Sequence, residues 1–336
     1  MLTHTKETPG RAPAKRRLKE AIVPLAVGAV GVLLLAWAGA SGFRQDLLVL
    51  LAVYALIALG MYIPFVLAGS LSMAYAAYAA IGGYSVAIIS TETGLPVIVG
   101  WIIGPIVSAI VATILSLLTR RLSGFFLAAV TLLFSMAFEP WLIEAKEITG
   151  GSAGIGGIPS PEFFGWAPPR LLLVAGALAL VVVIAWLIER IRTGSWGVTV
   201  RTMRDVPSAV EAMGVRVSTL TTVSLAVGAA IASFAGAIFV SFMLSITPET
   251  FTLSIVFMAI FIPLIGGQGS AWGAVLGALL VVQLTQNMPG FEGSGQLVLA
   301  IGVLIILLIA PAGIIGYAQK LWAALRGRQA KETNNV

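Results

Sequence analysis

Apolar runs of bilayer length recur along almost the whole chain, and that repetition constrains the fold more than any motif does. They lie at 21–40, 46–67, 68–90, 96–118, 125–143, 171–187, 220–244, 251–265, 271–288 and 297–317. A helix needs ~20 apolar residues to cross the hydrocarbon core. In lipid every backbone N–H and C=O must be satisfied within the protein, which leaves helices or a closed barrel. Continuous runs select helices. Only 10% of the 336 residues are charged, against ~25% in a soluble domain. The expectation is an all-α polytopic membrane protein with about ten transmembrane helices. The transmembrane region covers 21–318, with polar tails at 1–20 and 319–336. The first run follows a basic head and ends in Ala38-Gly39-Ala40, like a signal peptide. It is longer than the ~7–15 residues of a signal core, so it is read as an uncleaved helix. The third run is rich in Ala, Gly, Ser and Tyr. It and the eighth and ninth are the least regular, open to being tilted, broken or re-entrant.

Charge sets an orientation. With the basic N-terminus in the cytoplasm and ten alternating spans, only Arg44, Lys146 and Arg170 of the 20 lysines and arginines fall outside. A miscounted span would scramble that asymmetry, so the positive-inside rule places both termini in the cytoplasm. The net charge of +6 then belongs to cytoplasmic loops facing anionic lipid. No basic-aromatic patch suggests nucleic acid.

Enzymatic signals are sparse. There is no cysteine, which removes thiol catalysis, disulfides and zinc-thiolate sites. The single histidine, His4, lies in the polar head. No Gly precedes a Lys, so there is no phosphate-binding P-loop. Nothing calls for a cofactor or a metal. Carboxylates deep in a span, which self-powered transporters use for ion coupling, are missing; Glu139, beside Pro140 near the end of the fifth run, comes nearest. A transporter built this way draws its power from elsewhere.

The stretch 190–218 offers the connection. It is the longest basic interruption between apolar runs, with Arg190, Arg192, Arg201, Arg204 and Arg216 against Asp205 and Glu211. A short helix is predicted inside it, with Asp205 as cap, Pro207 in the first turn and Gly214 just past the end. Val206, Val210 and Met213 then share one helical face. So short a helix is marginal alone, and its apolar face suits a groove on a soluble motor subunit.

At these residues the chain resembles a known family. The segment RTMRDVPSAVEAMGV is similar to the cytoplasmic signature of ABC-importer permeases of the branched-chain amino acid type. Ala209-Val210-Glu211-Ala212-Met213-Gly214 matches its A-x-E-A-x-G core. LAGSLSMAYAAYAAIGGYS resembles the family's small-residue segment. TGGSAGIGGIP resembles the Gly-rich external loop of the longer of its two permease paralogues. SFAGAIFVSFMLSITPETF, LIGGQGSAWGAVLGA and PAGIIG resemble its C-terminal half. The chain departs from the family where Gln-Leu-Ser followed by Gly-His is usual: it has Ser70-Leu71-Ser72, then Ala74-Tyr75. That departure leaves the cargo open, since permeases for urea, short amides and other amino acids share the scaffold.

The resemblance implies a transport subunit, not an enzyme, in the cytoplasmic membrane of a bacterium or archaeon. It implies a second permease subunit, two ATP-binding cassette subunits and an external solute-binding protein. Val206, Val210 and Met213, flanked by Arg201, Arg204, Glu211, Ala212 and Gly214, would meet the ATPase. The external loop 144–170, with Glu147, Glu162 and flexible glycines, would meet the binding protein. For the substrate path the third run is the choice. Ser70 and Ser72 could cap a half-helix whose N-terminus attracts a carboxylate. Tyr75, Tyr78 and Tyr84 add apolar surface with polar tips, and Gln283 is a further polar candidate. Gly100-x-x-x-Gly104 and Gly273-x-x-x-Gly277 read as helix-packing spacings. A self-powered secondary transporter and a non-transporting membrane scaffold are the competing readings.

Overall fold

The computed structural model describes residues 28–39, 41–120, 124–162 and 165–287, with Ile301, Gly313 and Gly316. The described chain is all-α apart from one two-residue strand pair. Helices α1 (Gly28–Ala38) and α2 (Gly42–Met61) come first, and α2 continues into a π-turn, Tyr62–Leu67. Then follow α3 (Tyr75–Glu92), α4 (Val97–Leu118), α5 (Phe125–Glu144), the single turn α6 (Lys146–Thr149) and α7 (Arg170–Thr193). After α7 come α8 (Ser195–Asp205), α9 (Pro207–Ala212), α10 (Val217–Met243), α11 (Leu253–Gly266) and α12 (Ala271–Asn287).

Among the described residues six helical segments are long and apolar enough to cross a membrane: Gly42–Leu67, Val97–Leu118, Phe125–Glu144, Arg170–Thr193, Val217–Met243 and Pro248–Gly266. The first and ninth runs appear as the shorter apolar helices Gly28–Ala38 and Ala271–Thr285. The tenth run and both tails lie almost wholly outside the described residues. The third run is broken. Residues 68–74 are not helical, and α3 begins only at Tyr75.

α2, α3 and α10 form the centre. In the most apolar stretch of the α2 segment 89% of residues are buried, against 28–33% in α4, α5 and α7. Ile102, Ile106, Ile110, Ile114 and Leu117 of α4 are exposed. Such an apolar face suits lipid and would be a liability in water. The centre is built on small residues. A Cβ on Gly236 of α10 would fall onto the Ala79 carbonyl of α3, and one on Gly82 onto the Ser233 carbonyl. Both spacings noted in the sequence also pack helices: Gly100 meets Val86, Gly104 meets Gly82, and Gly273 and Gly277 meet the backbone of α11 and the turn after it.

Some connectors between spans meet. Asp46 pairs with Arg170 at 2.5 Å. At that end β1 (Ile155–Gly156) pairs antiparallel with β2 (Ser245–Ile246), with Ile155 opposite Ile246. The Gly-rich loop is therefore fixed in place, contrary to the expectation of flexible glycines. Thr149 is buried and donates to the Leu142 carbonyl at 2.5 Å. Gly154 takes φ +70°, and a Cβ there would strike the Ile246 carbonyl. Glu147 and Glu162 stay exposed on this folded cap.

Candidate functional site

At the opposite end lie α8, α9, the π-turn and the turn joining α11 to α12. α8 turns Gly197, Val200 and Met203 inward, at the i, i+3, i+6 spacing of one helical face. α9 starts at Pro207 and is followed by Gly214 in the left-handed region, φ +79°. Both punctuation residues sit where the sequence puts them. The cap does not: Val206 is the N-cap of α9, and Asp205 is the last residue of α8.

The expected apolar face also divides. Val206 and Met213 are 49% and 64% exposed, whereas Val210 is fully buried within the chain. α9 has six residues, too few for a stripe of three. Val206 and Met213 fall outside its helical residues, and only Val210 follows the helix. The outward surface is therefore Val206 and Met213, with Glu211, Ala212 and Gly214 exposed beside them; Val210 anchors it from beneath.

Both arginines are exposed, yet their guanidinium groups bond back to backbone. Arg204 Nη1 donates to the Val66 carbonyl in the π-turn at 2.6 Å, and its side chain lies across Gly69, where an added Cβ would come within 2.8 Å of its Cγ. Arg201 donates through Nε to the Gly197 carbonyl at 3.2 Å and through Nη2 to the Arg192 carbonyl at 3.3 Å. The helical loop is thus bonded to the backbone that leads into the broken third run.

Pro64 starts that break, because it has no N–H to offer the Gly60 carbonyl four residues earlier. The Tyr75 hydroxyl donates to that carbonyl at 2.9 Å. Ser70 N–H donates to the Pro64 carbonyl at 2.7 Å, and Met73 N–H to Thr131 Oγ1 of α5 at 2.8 Å. Irregular backbone among transmembrane helices survives only where protein or a water-lined path receives it. Removing the Thr131 acceptor leaves the Met73 amide unpaired, at a cost of ~1–3 kcal/mol. Thr131→Val is accordingly expected to lower the unfolding temperature in detergent by several degrees, measured against the wild type.

The candidate path residues separate on inspection. α3 is capped by Ala74, with no side-chain cap, so neither Ser70 nor Ser72 caps it. Ser70 is half-buried. Ser72 Oγ and Tyr84 Oη are buried with no hydrogen-bond partner, as is Ser233 Oγ. The Tyr78 hydroxyl lies toward Ser72 but outside hydrogen-bonding geometry. Tyr75 and Tyr78 stack edge-to-face at 5.7 Å. Tyr75 is committed to packing through Gly60. Gln283 is carried by α12, which packs chiefly on α2, α7 and α11. A cavity of about 610 Å³ between α4, α7 and α10 is lined almost wholly by apolar side chains, with Trp101 and Trp166 among them. It offers no convergent polar groups for a zwitterion and reads as a lipid-facing groove.

Sequence reasoning missed Glu189. In the last turns of α7 it accepts from Arg192 Nε at 3.1 Å and Nη2 at 2.5 Å through one oxygen. Through the other it accepts from Ser270 Oγ and the Ala271 amide, both at 3.0 Å. The only local hint is a carboxylate near a helix C-terminus, where the helix dipole disfavours it.

Comparison with known proteins gives a consistent result. Residues 43–310 match the model of a family described as branched-chain amino acid transport system / permease component. The high-affinity branched-chain amino acid transport system permease proteins of Salmonella typhimurium and Escherichia coli are each 28% identical over 295 residues, covering 80% of this chain and 69% of theirs. A probable branched-chain amino acid transport permease protein of Methanocaldococcus jannaschii is 27% identical over 187 residues, 54% of this chain and 53% of its own. No solved structure matches.

Proposed function

Because the chain belongs to the branched-chain amino acid transport permease family, we propose that it is the membrane-spanning subunit of an ABC importer, moving branched-chain or other small amino acids with power from ATP-hydrolysing partners. The observation that carries this reading is the bond from Arg204 to the Val66 carbonyl. It ties a surface loop to the backbone break in front of α3. A push on α8 and α9 would be felt at residues 66–74, where Ser72 holds a buried, unpartnered hydroxyl beside the open amides at the α3 N-terminus. Such an end favours a carboxylate. Ser70, Ser72, Tyr78 and Tyr84 are proposed to border the path, with Tyr75 supporting it and Gln283 on α12 a further polar contact.

The partners proposed are two ATP-binding cassette subunits on the Val206–Met213 surface, a second permease subunit, and a solute-binding protein on the folded cap that displays Glu147 and Glu162. The membrane is the cytoplasmic membrane of a bacterium or archaeon, with both termini and α8–α9 inside. The Ser70 to Tyr75 departure keeps urea and short amides as alternative cargo. A self-powered transporter is disfavoured because the described acidic residues all lie in loops or within about two turns of a helix end. Affinity purification of the tagged chain in mild detergent tests the assembly. Recovery of an ATP-binding cassette subunit and a second permease is expected; recovery of this chain alone under conditions that preserve transport contradicts it.

A further inference from the structure

Four elements at the α8 end are joined in a closed ring of hydrogen bonds. Arg204 of α8 holds the π-turn through Val66. Tyr62 of the same π-turn donates to the Gln268 carbonyl at 3.0 Å, in the turn between α11 and α12. Ser270 and Ala271 of that turn donate to Glu189 of α7. Arg201 of α8 closes the circuit on the Arg192 carbonyl.

Glu189 is the one side chain in the ring that serves two helices with opposite needs. At the end of its own helix a carboxylate is unfavourable, while at the N-terminus of α12 it is favourable. Arg192, three residues on, offsets the first. The carboxylate therefore belongs to α12, though α7 carries it. α11 and α12 are in turn packed backbone to backbone: Gly266 and Gly273 are in contact, and Gly277 sits on the Ile262 carbonyl. Whatever displaces the end of α12 displaces the hairpin.

We propose that Glu189 is a positioning residue that latches the α11–α12 hairpin to α7 and the α8–α9 loop, so that movement of the loop carries the hairpin with it. This rests on the importer reading, and the two fail in different ways. The chain has no cysteine, so spin labels can be placed singly without background. In the reconstituted transporter, labels at V198C, an exposed position on α8 outside the docking surface, and at L280C on α12 would report the loop and the hairpin, each against a fixed label on the partner ATPase. In the wild type both distances should change between the nucleotide-free and ATP-bound states. In E189A, which removes both acceptor oxygens, the loop distance should still change while the hairpin change is lost, and uptake per ATP hydrolysed should fall at least tenfold, with partial recovery in E189D. A hairpin response in E189A equal to that of the wild type overturns the latch. A wild-type loop that does not respond to ATP overturns the importer reading instead. If E189A does not assemble, Ser270→Ala combined with Ala271→Pro decides, because together they remove both donors to the carboxylate, proline being tolerated in the first turn of α12, and leave the Arg192 pair intact. Loss of the hairpin response in that double variant supports the latch; an unchanged response overturns it.

Discussion

Val206→Asp combined with Met213→Asp is expected to release the ATPase subunits and reduce uptake at least 100-fold, while the chain still inserts and elutes as a single folded species. These two side chains are the exposed apolar surface of the α9 loop, at 49% and 64% exposure. An exposed apolar side chain buried in a groove contributes ~1.5–3 kcal/mol, and a carboxylate there must also be desolvated without a partner. Losing ~4 kcal/mol weakens association by roughly 10³. Both side chains are exposed, so the fold should tolerate the change. Val210→Asp gives a different result. It puts a carboxylate into a fully buried site, so the loop itself should open, with faster proteolysis between α8 and α10. Equal proteolysis of both variants would contradict this division of the surface.

Gly236→Val should abolish folded protein almost completely, with the monodisperse yield in detergent falling at least tenfold. The added side chain meets the Ala79 carbonyl of α3. Overpacking against movable side chains costs ~1–3 kcal/mol, but here the obstacle is backbone and α3 and α10 must separate. In lipid no hydrophobic drive closes them again; close packing is what holds helices together. Gly82→Val carries the same expectation from the other side, through Ser233. Gly176→Ala on α7 is the control, since a Cβ there meets nothing within 4 Å, and its yield should match the wild type.

Much of this architecture is legible in the sequence, for definite reasons. Span-length apolar runs and small-residue spacings are properties of single segments, and lipid allows them few outcomes. Pro207 and Gly214 mark the ends of α9 because each restricts or frees its own backbone. The docking stripe failed because helical periodicity holds only while the helix lasts. With six residues, α9 ends before Met213, and only Val210 obeys the pattern. The serines of the third run suit a cap, yet the cap is Ala74, two residues beyond Ser72, and the helix begins at Tyr75. Tyr75 fixes that start by bonding back to Gly60, 15 residues away. Glu189 was invisible for the same reason of range: its partners Ser270 and Ala271 are 81 and 82 residues distant, and nothing local announces them. The pairing of the Gly-rich loop with residues 245–246 is likewise a contact across some 90 residues. In each case the segment's type could be read, and its tertiary partner could not.

Whether this chain is driven by ATP hydrolysed elsewhere is decided by uptake of radiolabelled leucine into proteoliposomes, with the chain reconstituted alongside its ATPase, second-permease and binding-protein partners. Uptake should require ATP on the α8–α9 side and the binding protein on the other, and should persist when proton and sodium gradients are collapsed. Uptake by this chain alone, driven by an ion gradient and indifferent to ATP, would contradict it.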